Sequence, residues 1–320
     1  MKAVVFDGEL KVLDIEKPEP KFKEVLIKTS LGGICNTDYE ITKGYMGFNG
    51  VLGHEFVGVV KEVGPEADIS WIGKRVVGGI NLGCNSCLWC NSGLERHCPS
   101  RQTLGIYNKD GCFSEYFTLR QENLIEVPKN VSDMEAVFTE PIAAACEILE
   151  QVHIEPTERV AILGDGKLGL LIAQVLNAYN LDIVHIGKHE EKLAISRHSG
   201  IKTMSLEEAQ KYQKEFDVVV EATGSVGGFE TSVSLTKPRG KLVLKSTIAA
   251  KEGLNLAGVV VDEITIIGSR CGQFSPALRL LEKKSIDVKN MVSKIYDVNK
   301  ALEAFEANKR SNVIKVLIKF

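Results

Sequence analysis

The chain has 320 residues, of which 44% are hydrophobic and 25% are charged, and its formal net charge at pH 7 is −3. This is the composition of an ordinary globular protein, and the length favours two domains over one. The nearly balanced charge gives no electrostatic reason to expect nucleic acid or an anionic membrane as a partner. No apolar run approaches the roughly 20 residues that a membrane-spanning helix needs.

The N-terminal stretch MKAVVFDGELKVLDIEKPEP alternates apolar and polar residues and carries acidic residues early. This pattern is typical of an edge strand and not of a secretory signal peptide. We therefore expect a cytoplasmic protein. In that compartment thiols stay reduced, so disulfides are a poor explanation for clustered cysteines.

The segment GGICNTDYEITKGYMGFNGVLGHEFVGVV, residues 32–60, carries three potential zinc ligands: Cys35, His54 and Glu55. Far downstream, FTEPIAAACEIL places Glu140 before a proline, where a helix can begin. A catalytic zinc takes three protein ligands and keeps one position for water or substrate. Each of these residues is weak evidence alone, but together they favour an open zinc site.

Between these segments lies GCNSCLWCNSGLERHC, residues 83–98, with the spacing C-x2-C-x2-C-x7-C. Tetrahedral zinc binds four thiolates at about 2.3 Å, and tightly turning C-x2-C pairs supply them. The spacing predicts a structural zinc with no position left for substrate. A nucleic-acid-binding zinc ribbon fits the same spacing, but the loop has few cations and no basic, aromatic-rich strands nearby. The four predicted ligands are Cys84, Cys87, Cys90 and Cys98.

Residues 158–193, ERVAILGDGKLGLLIAQVLNAYNLDIVHIGKHEEKL, follow the pattern strand, turn, helix, strand. Gly164, Gly166 and Gly169 form a G-x-G-x-x-G motif at the end of the first buried run. Inside a βαβ unit of about 30 residues this motif indicates dinucleotide binding, with the pyrophosphate at the helix N-terminus. Further strands are predicted at 216–221, 241–244 and 264–268, alternating with helices. The fold class is therefore α/β with a doubly wound parallel sheet.

The remaining segments frame this unit. Residues 1–139 are rich in glycine, turn signals and short patterns typical of strands. From Ser275 the chain is predicted to run helix, short strand, helix and final strand.

The motifs GICNTD and GHEFVGVVKEVG, followed by the four-cysteine loop, resemble those of the zinc-dependent alcohol and polyol dehydrogenases of the medium-chain dehydrogenase/reductase superfamily. The likeness covers essentially the whole chain, including VVVEATGS at 218–225 and IIGSRCG at 266–272. The resemblance implies a Rossmann doubly wound sheet, residues 140–269, and a GroES-like irregular β-barrel catalytic domain. It also implies that the catalytic domain is discontinuous, with residues 1–139 and 270–320 and a structural-zinc lobe at 83–99.

The resemblance further implies that Cys35 and His54 bind the catalytic zinc and that Glu55 contacts it directly or through a neighbour. The third protein ligand is a cysteine in liver-type alcohol dehydrogenases and a glutamate in a Glu-Pro context in polyol dehydrogenases. Glu140 is therefore favoured here, while Cys146 is expected to be structural.

The resemblance also implies which residues transfer the proton at the catalytic zinc site. Thr37 matches a position whose hydroxyl binds the substrate oxygen and starts proton release, and Asp38 is expected to orient a zinc-binding histidine. Many relatives carry a histidine relay five residues after the catalytic cysteine. This chain has Glu40 there, so Glu40 or solvent is expected to take the proton.

The cofactor is predicted to be NADP in preference to NAD, with NAD use possible. NAD enzymes of this fold end the second strand with an acid that binds the ribose 2′-hydroxyl. Here the strand ends at Ile186 and glycine follows, which leaves room for a 2′-phosphate near basic residues. The predicted cofactor-binding residues are Gly164, Gly166, Lys167, Leu168, Gly169, Gly187, Lys188, His189, Lys192, Thr223, Gly224 and Arg270.

We therefore predict an oxidoreductase with two zinc ions per chain, which transfers a hydride between a small secondary alcohol, polyol or sugar and NAD(P). A physiological aldehyde or ketone reductase would use the same residues. A non-catalytic nucleotide-binding protein on this fold is disfavoured, because it would have little use for an open metal site. Relatives are dimers or tetramers, so a homo-oligomer is expected.

Overall fold

The structure, a computed structural model, describes residues 1–247 and 254–320. The chain forms two compact units, the first from Met1–Glu140 and Val292–Phe320 and the second from Pro141–Met291. The resemblance predicts that the chain returns to the first unit at residue 270. In the structure the return comes at Val292, because the segment after 270 is held in the second unit. There the backbone N–H of Asp287 donates to Gln174 Oε1 at 2.8 Å.

The strands form where β-branched and aliphatic residues can be buried on one or both faces. Up to residue 126 they are β1 (Lys2–Phe6), β2 (Leu10–Asp14), β3 (Glu24–Gly33), β4 (Gly50–Val51), β5 (Phe56–Val63), β6 (Arg75–Gly78), β7 (Asn81–Leu82), β8 (Gln102–Leu104), β9 (Asn108–Lys109), β10 (Tyr116–Arg120) and β11 (Leu124–Glu126). The later strands are β12 (Arg159–Leu163), β13 (Asp182–Gly187), β14 (Lys202–Ser205), β15 (Phe216–Glu221), β16 (Thr236–Leu244), β17 (Thr265–Gly268), β18 (Val292–Asp297) and β19 (Lys315–Lys319).

The helices lie between these strands. They are α1 (Asn36–Thr42), α2 (Leu88–Asn91), α3 (Asp133–Ala136), α4 (Thr139–Gln151), α5 (Lys167–Ala178), α6 (Glu190–His198), α7 (Leu206–Ala209), α8 (Val226–Leu235), α9 (Ala257–Val261), α10 (Phe274–Glu282) and α11 (Ala301–Asn308). Within the described ranges, none of them combines the length and the apolar character required to cross a membrane.

The first unit is built around strand β3. Its largest sheet has the order β11-β6-β5-β3-β19-β18, and β10 also pairs with β3. Two smaller sheets have the orders β2-β1-β4 and β7-β8-β9. Strand β3 pairs antiparallel with β5, β10 and β19, and its side chains Leu26 and Ile27 are fully buried. The C-terminal end of β3 is therefore fixed from both sides, which positions the residues that follow it.

The second unit is a parallel sheet with the order β14-β13-β12-β15-β16-β17. Numbered from β12, this is the order 3-2-1-4-5-6 of a doubly wound dinucleotide-binding sheet, so the predicted fold class is confirmed. Strand β14 was not predicted, because its sequence KTMS has little apolar character. The core on one face consists of buried side chains such as Leu163, Ile186, Phe216, Val219, Phe229 and Leu242.

Candidate metal centres and dinucleotide site

The antiparallel pairing of β3 with β5 brings Cys35 and His54 together. Gly32 lies opposite Phe56, and the backbone N–H of Gly33 donates to the Glu55 carbonyl at 2.9 Å. The residues just after β3 and just before β5 are therefore neighbours. The ligand atoms of Cys35, His54 and Glu55 all lie within 4.8 Å of one another; Cys35 is half-buried and the other two are buried.

The residue before His54 must be glycine. Gly53 has φ +94°, and a Cβ on it would lie 2.3 Å from the Phe113 ring. Both the left-handed backbone and the packing exclude a side chain here. This turn directs His54 and Glu55 toward Cys35.

Asp38 contacts two members of this cluster, Cys35 and His54. Its Oδ2 accepts from the backbone N–H of Cys35 at 2.8 Å, and its Oδ1 lies 3.4 Å from His54 Nδ1. Burial alone would lower the pKa of His54, but the Asp38 carboxylate and the Cys35 sulfur hold that pKa well above its ordinary value. A carboxylate behind an imidazole is the usual support of a metal-binding histidine, and this is the role predicted for Asp38.

A buried ion pair adjoins the cluster. The Lys315 ammonium donates to Glu55 Oε2, and the side chains of both residues are only 2% exposed. Lys315 reaches this point because β19 pairs with the end of β3, and because Gly33 leaves the space free: a Cβ there would lie 2.5 Å from Glu55 Oε2. Lys315 is not among the site residues predicted from the sequence. An isolated lysine in an apolar final strand gives no local signal of burial.

The other predicted residues of this site are placed as follows. Thr37 Oγ1 lies 3.6 Å from Cys35 Sγ. Glu40 is exposed and pairs with Lys43 Nζ at 2.9 Å. Glu140 is half-buried at the second residue of α4 and is not one of the three residues whose ligand atoms cluster.

The four-cysteine loop folds into a sulfur cluster. Cys84, Cys87, Cys90 and Cys98 have ligand atoms within 4.8 Å of one another, with Sγ–Sγ distances of 4.0 Å for Cys84–Cys90 and 3.6 Å for Cys87–Cys90. Hydrogen bonds from Ser86 lower the pKa of Cys84 to about 5. Desolvation and the neighbouring thiols raise the pKa of Cys90 to about 11. The Cys84 thiolate therefore forms much more easily than the Cys90 thiolate.

The glycine motif lies at the carboxyl end of β12. Gly164 has φ +121°, and a Cβ at Gly169 would lie 1.8 Å from the Gly164 carbonyl oxygen, so α5 packs directly on the turn. No atom lies within 4 Å of a Cβ built at Gly166, so the backbone there is open to a ligand. The next two residues, Lys167 and Leu168, open α5.

The remaining predicted cofactor residues follow the other strands of the sheet. Gly187 ends β13; Lys188 and His189 lead into α6, whose third residue is Lys192. Thr223 follows β15 and donates to Glu221 Oε1 through its N–H and its hydroxyl. Carboxyl ends of parallel strands share one edge, where doubly wound folds bind ligands. Gly224 and Arg270 also lie at this edge, after β15 and β17.

Comparison with known proteins identifies the family. Residues 21–129 match the alcohol dehydrogenase GroES-like domain, and residues 168–283 match the zinc-binding dehydrogenase family. The chain belongs to the zinc-dependent medium-chain dehydrogenase/reductase superfamily. The predicted resemblance and oxidoreductase class are thereby confirmed.

Several known proteins are similar to this chain over nearly its full length. A sorbitol dehydrogenase of Halalkalibacterium halodurans is 28% identical over 97% of this chain and 96% of the relative. A short chain alcohol dehydrogenase from Escherichia coli CFT073, complexed with NADH, is 26% identical, with 100% and 99% coverage and a TM-score of 0.92. A zinc-binding dehydrogenase from Sinorhizobium meliloti 1021, bound to NADP, is 25% identical, with the same coverage and a TM-score of 0.93.

The zinc that this superfamily uses fits the four-cysteine loop. Ligands 2.3 Å from a tetrahedral ion are about 3.8 Å apart. The observed sulfur–sulfur distances of 3.6 and 4.0 Å lie on either side of this value. The backbone N–H of Cys84 also donates to Cys98 Sγ at 3.4 Å, a hydrogen bond that would stabilise a metal-bound sulfur.

The open cluster fits zinc by its donor chemistry. A thiol, an imidazole and a carboxylate are the ligands that zinc takes in catalytic sites. In the described chain, His54 Nδ1 and Asp38 Oδ1 are buried without another hydrogen-bond partner. With a proton on Nδ1, the His54 ring could donate to Asp38 Oδ1 while its other nitrogen binds a metal. This chain therefore has two clusters whose donors suit zinc: the four-cysteine cluster, which would fill all four positions, and the cluster of Cys35, His54 and Glu55.

Proposed function

We propose that this chain is a zinc-dependent dehydrogenase that passes a hydride from an alcohol carbon to NAD(P). The observation that carries the proposal is the convergence of Cys35, His54 and Glu55 within 4.8 Å, in a chain that also has a doubly wound sheet with a glycine-rich turn. A bound zinc would supply Lewis acidity that lowers the pKa of the substrate alcohol, and a bound nicotinamide would accept the hydride.

The protein residues hold the metal and manage the proton. Cys35 and His54 are the proposed metal ligands, and Asp38 fixes the ring of His54. Thr37, within 3.6 Å of the Cys35 sulfur, is the proposed hydrogen-bond partner of the alcohol O–H, and its hydroxyl would pass its own proton on as it receives that of the alcohol. Exposed Glu40 is tied to Lys43, which favours solvent as the next acceptor. Glu140 remains the proposed third protein ligand.

Lys315 sets the charge of this site. Two carboxylates, Asp38 and Glu55, lie beside a cysteine that must ionise to bind metal. Without a buried cation their combined negative charge would resist further deprotonation. We infer that Lys315 holds Glu55 near the metal position without requiring it to be a ligand.

The proposed substrate class is a small polyol or secondary alcohol. The sorbitol dehydrogenase relative, similar over nearly its full length, supports a polyol. The reverse reaction on a ketone would use the same residues.

The test combines metal analysis with a reduced-cofactor absorbance assay over alcohols, polyols and the corresponding ketones, with both dinucleotides. The Cys35→Ser variant should lose open-site zinc and activity. Cys146→Ala, which replaces a buried thiol whose pKa burial raises to about 12, should retain both. Full activity of Cys35→Ser would overturn the proposed metal site.

We also propose that the protein acts in the cytoplasm as a homo-oligomer. Strand β17 is one of the two edge strands of the parallel sheet in the described chain, and Ile266 on it is 37% exposed. Val260 and Val261 of nearby α9 are 74% and 78% exposed. An exposed apolar edge favours pairing with a second copy. Light scattering should give more than one chain per particle, and Ile266→Lys should reduce that number. A monomeric wild type would contradict the proposal.

A further inference from the structure

Asp165 stands between the first two glycines of the motif, and its carboxylate reaches across to the end of β13. Asp165 Oδ2 accepts from the backbone N–H of Lys188 at 2.6 Å and of His189 at 2.7 Å. The His189 ring adds contacts of 3.0 and 3.1 Å to the two carboxylate oxygens. The N–H groups that precede α6 are therefore already bound to an anion, which the protein itself supplies.

The same side chain explains the glycine at 187. A Cβ on Gly187 would lie 2.5 Å from Asp165 Oδ2 and 2.6 Å from its Cβ. The space left by the missing side chain is filled by Asp165. Glycine at the end of β13 is therefore a consequence of the acid at 165 and does not by itself indicate room for a 2′-phosphate.

We propose that Asp165 is the residue that selects the dinucleotide, and that it makes this chain favour NAD over NADP. This inference rests on the proposed NAD(P)-linked function. In NAD enzymes of this fold an acid at the end of the second strand binds the ribose 2′-hydroxyl. Here the carboxylate lies at that strand end but comes from the glycine-rich turn, and a tenth of its side-chain surface stays exposed.

A 2′-phosphate meets two obstacles at this position. The Lys188 and His189 amides that could bind it are occupied, and the carboxylate repels a second anion. Burial would raise the pKa of Asp165, but the hydrogen bonds from His189 and Lys188 hold it below its ordinary value, so the group stays charged at neutral pH. The direction is opposite to the NADP preference expected from Gly187 alone.

The experiment measures dissociation constants of NADH and NADPH by fluorescence titration of the zinc-loaded protein. Wild type should bind NADH at least about tenfold more tightly than NADPH. Asp165→Asn keeps an acceptor for the amides and should reduce that ratio by about tenfold. Asp182→Asn makes the same chemical change at the other end of β13 and should leave the ratio unchanged. A wild type that prefers NADPH, or an Asp165→Asn ratio equal to that of wild type, overturns the inference.

A carboxylate exchange provides the second arm. Gly187→Asp alone should lower the thermal midpoint, because its side chain collides with Asp165. Adding Asp165→Gly removes the collision, returns the acid to the strand end, and should restore both stability and NADH preference. A double variant no more stable than Gly187→Asp contradicts the packing argument. If neither dinucleotide binds wild type, the proposed function and the inference both fail. If both bind equally, only the inference fails.

Discussion

The two cysteine-containing clusters of the first unit differ in how the chain assembles them. The four-cysteine cluster comes from one continuous loop, Cys84 to Cys98, and contains only sulfur ligands. The open cluster joins residues from two strand ends and combines a thiol, an imidazole and a carboxylate. The first is local and chemically uniform. The second depends on the pairing of β3, β5 and β19 and is chemically mixed.

This difference separates a structural role from a reactive one. Four thiolates fill a tetrahedral ion and leave nothing for substrate, so a metal there can only hold its loop. The open cluster has an acid behind its histidine and a buried lysine beside its glutamate. Charged groups in the interior cost desolvation free energy, and they are concentrated at functional sites.

The largest expected effect is loss of the four-cysteine metal, whose binding free energy is on the order of 10 kcal/mol and is coupled to folding. Cys84→Ser should lose one zinc equivalent and unfold the lobe. Trp89 lies in α2 within this loop, and the only other tryptophan is Trp71. Its fluorescence in a Trp71→Phe background reports the lobe, and Cys271→Ser is the matched control.

Chelation of the wild type sharpens the same comparison. The open site should release its metal first, with activity falling while the Trp89 signal persists, because it has fewer protein ligands and one exchangeable position. A titration that removes one equivalent or none from fully loaded protein would argue against two sites.

Breaking the buried ion pair should have the next largest effect. Lys315→Met leaves the Glu55 carboxylate buried without its cation, which costs about 3–5 kcal/mol of unfolding free energy. Urea denaturation measures the loss. Adding Glu55→Gln should recover most of it, whereas Lys319→Met, at an exposed position of the same strand, should change stability by less than about 0.5 kcal/mol. Equal stability of Lys315→Met and wild type would show that Lys315 does not stabilise the buried Glu55 carboxylate.

Glu140→Ala should have a smaller and more selective effect. We expect at least about a tenfold loss of zinc affinity at the open site, with the four-cysteine zinc retained. Glu150→Ala, an exposed acid on the same helix, is the control. Unchanged zinc content and turnover in Glu140→Ala would assign the third ligand to another residue.

Local features of the fold and sites were predictable from the sequence. The cysteine spacing, the glycine motif and the buried runs of β12 and β15 each carry their signal within a few residues. These signals were sufficient to predict the doubly wound sheet, which the observed strand order confirms. Strand β14 was missed because its short sequence lacks the alternation that predicts burial.

Contacts between distant segments were not predictable in the same way. Lys315 contacts Glu55 across 260 positions, and neither residue taken alone predicts that they form a pair. Asp165 reaches the end of β13 across 23 positions. The prediction from Gly187 considered only the residues at the strand end and could not include the Asp165 side chain that fills the space beside it. Such pairs depend on register and turn geometry, which a single sequence does not specify.

The smallest expected effect concerns His185, a second buried histidine that contrasts with His54. Its Nε2–H donates to the Gly164 carbonyl at 2.9 Å, and its Nδ1 accepts from Ser196 Oγ at 2.7 Å. Burial lowers the pKa of His185 from its ordinary value of 6.5. Both ring nitrogens are satisfied in the neutral form, so this histidine supports the glycine turn and is not a metal ligand.

Burial of the neutral His185 ring makes the free energy of unfolding depend on pH. Because the folded-state pKa of His185 is depressed, the unfolded chain takes up a proton below about pH 6.5 that the folded chain does not. Its contribution to stability is therefore complete above pH 6.5 and is lost as pH falls toward the folded pKa, at no more than about 1.4 kcal/mol per pH unit. Urea denaturation between pH 7.5 and 5.5 should show this slope in wild type and in the exposed-site control His198→Gln. His185→Gln, which cannot titrate, should show a flatter profile; an unchanged slope would place the proton uptake on another group.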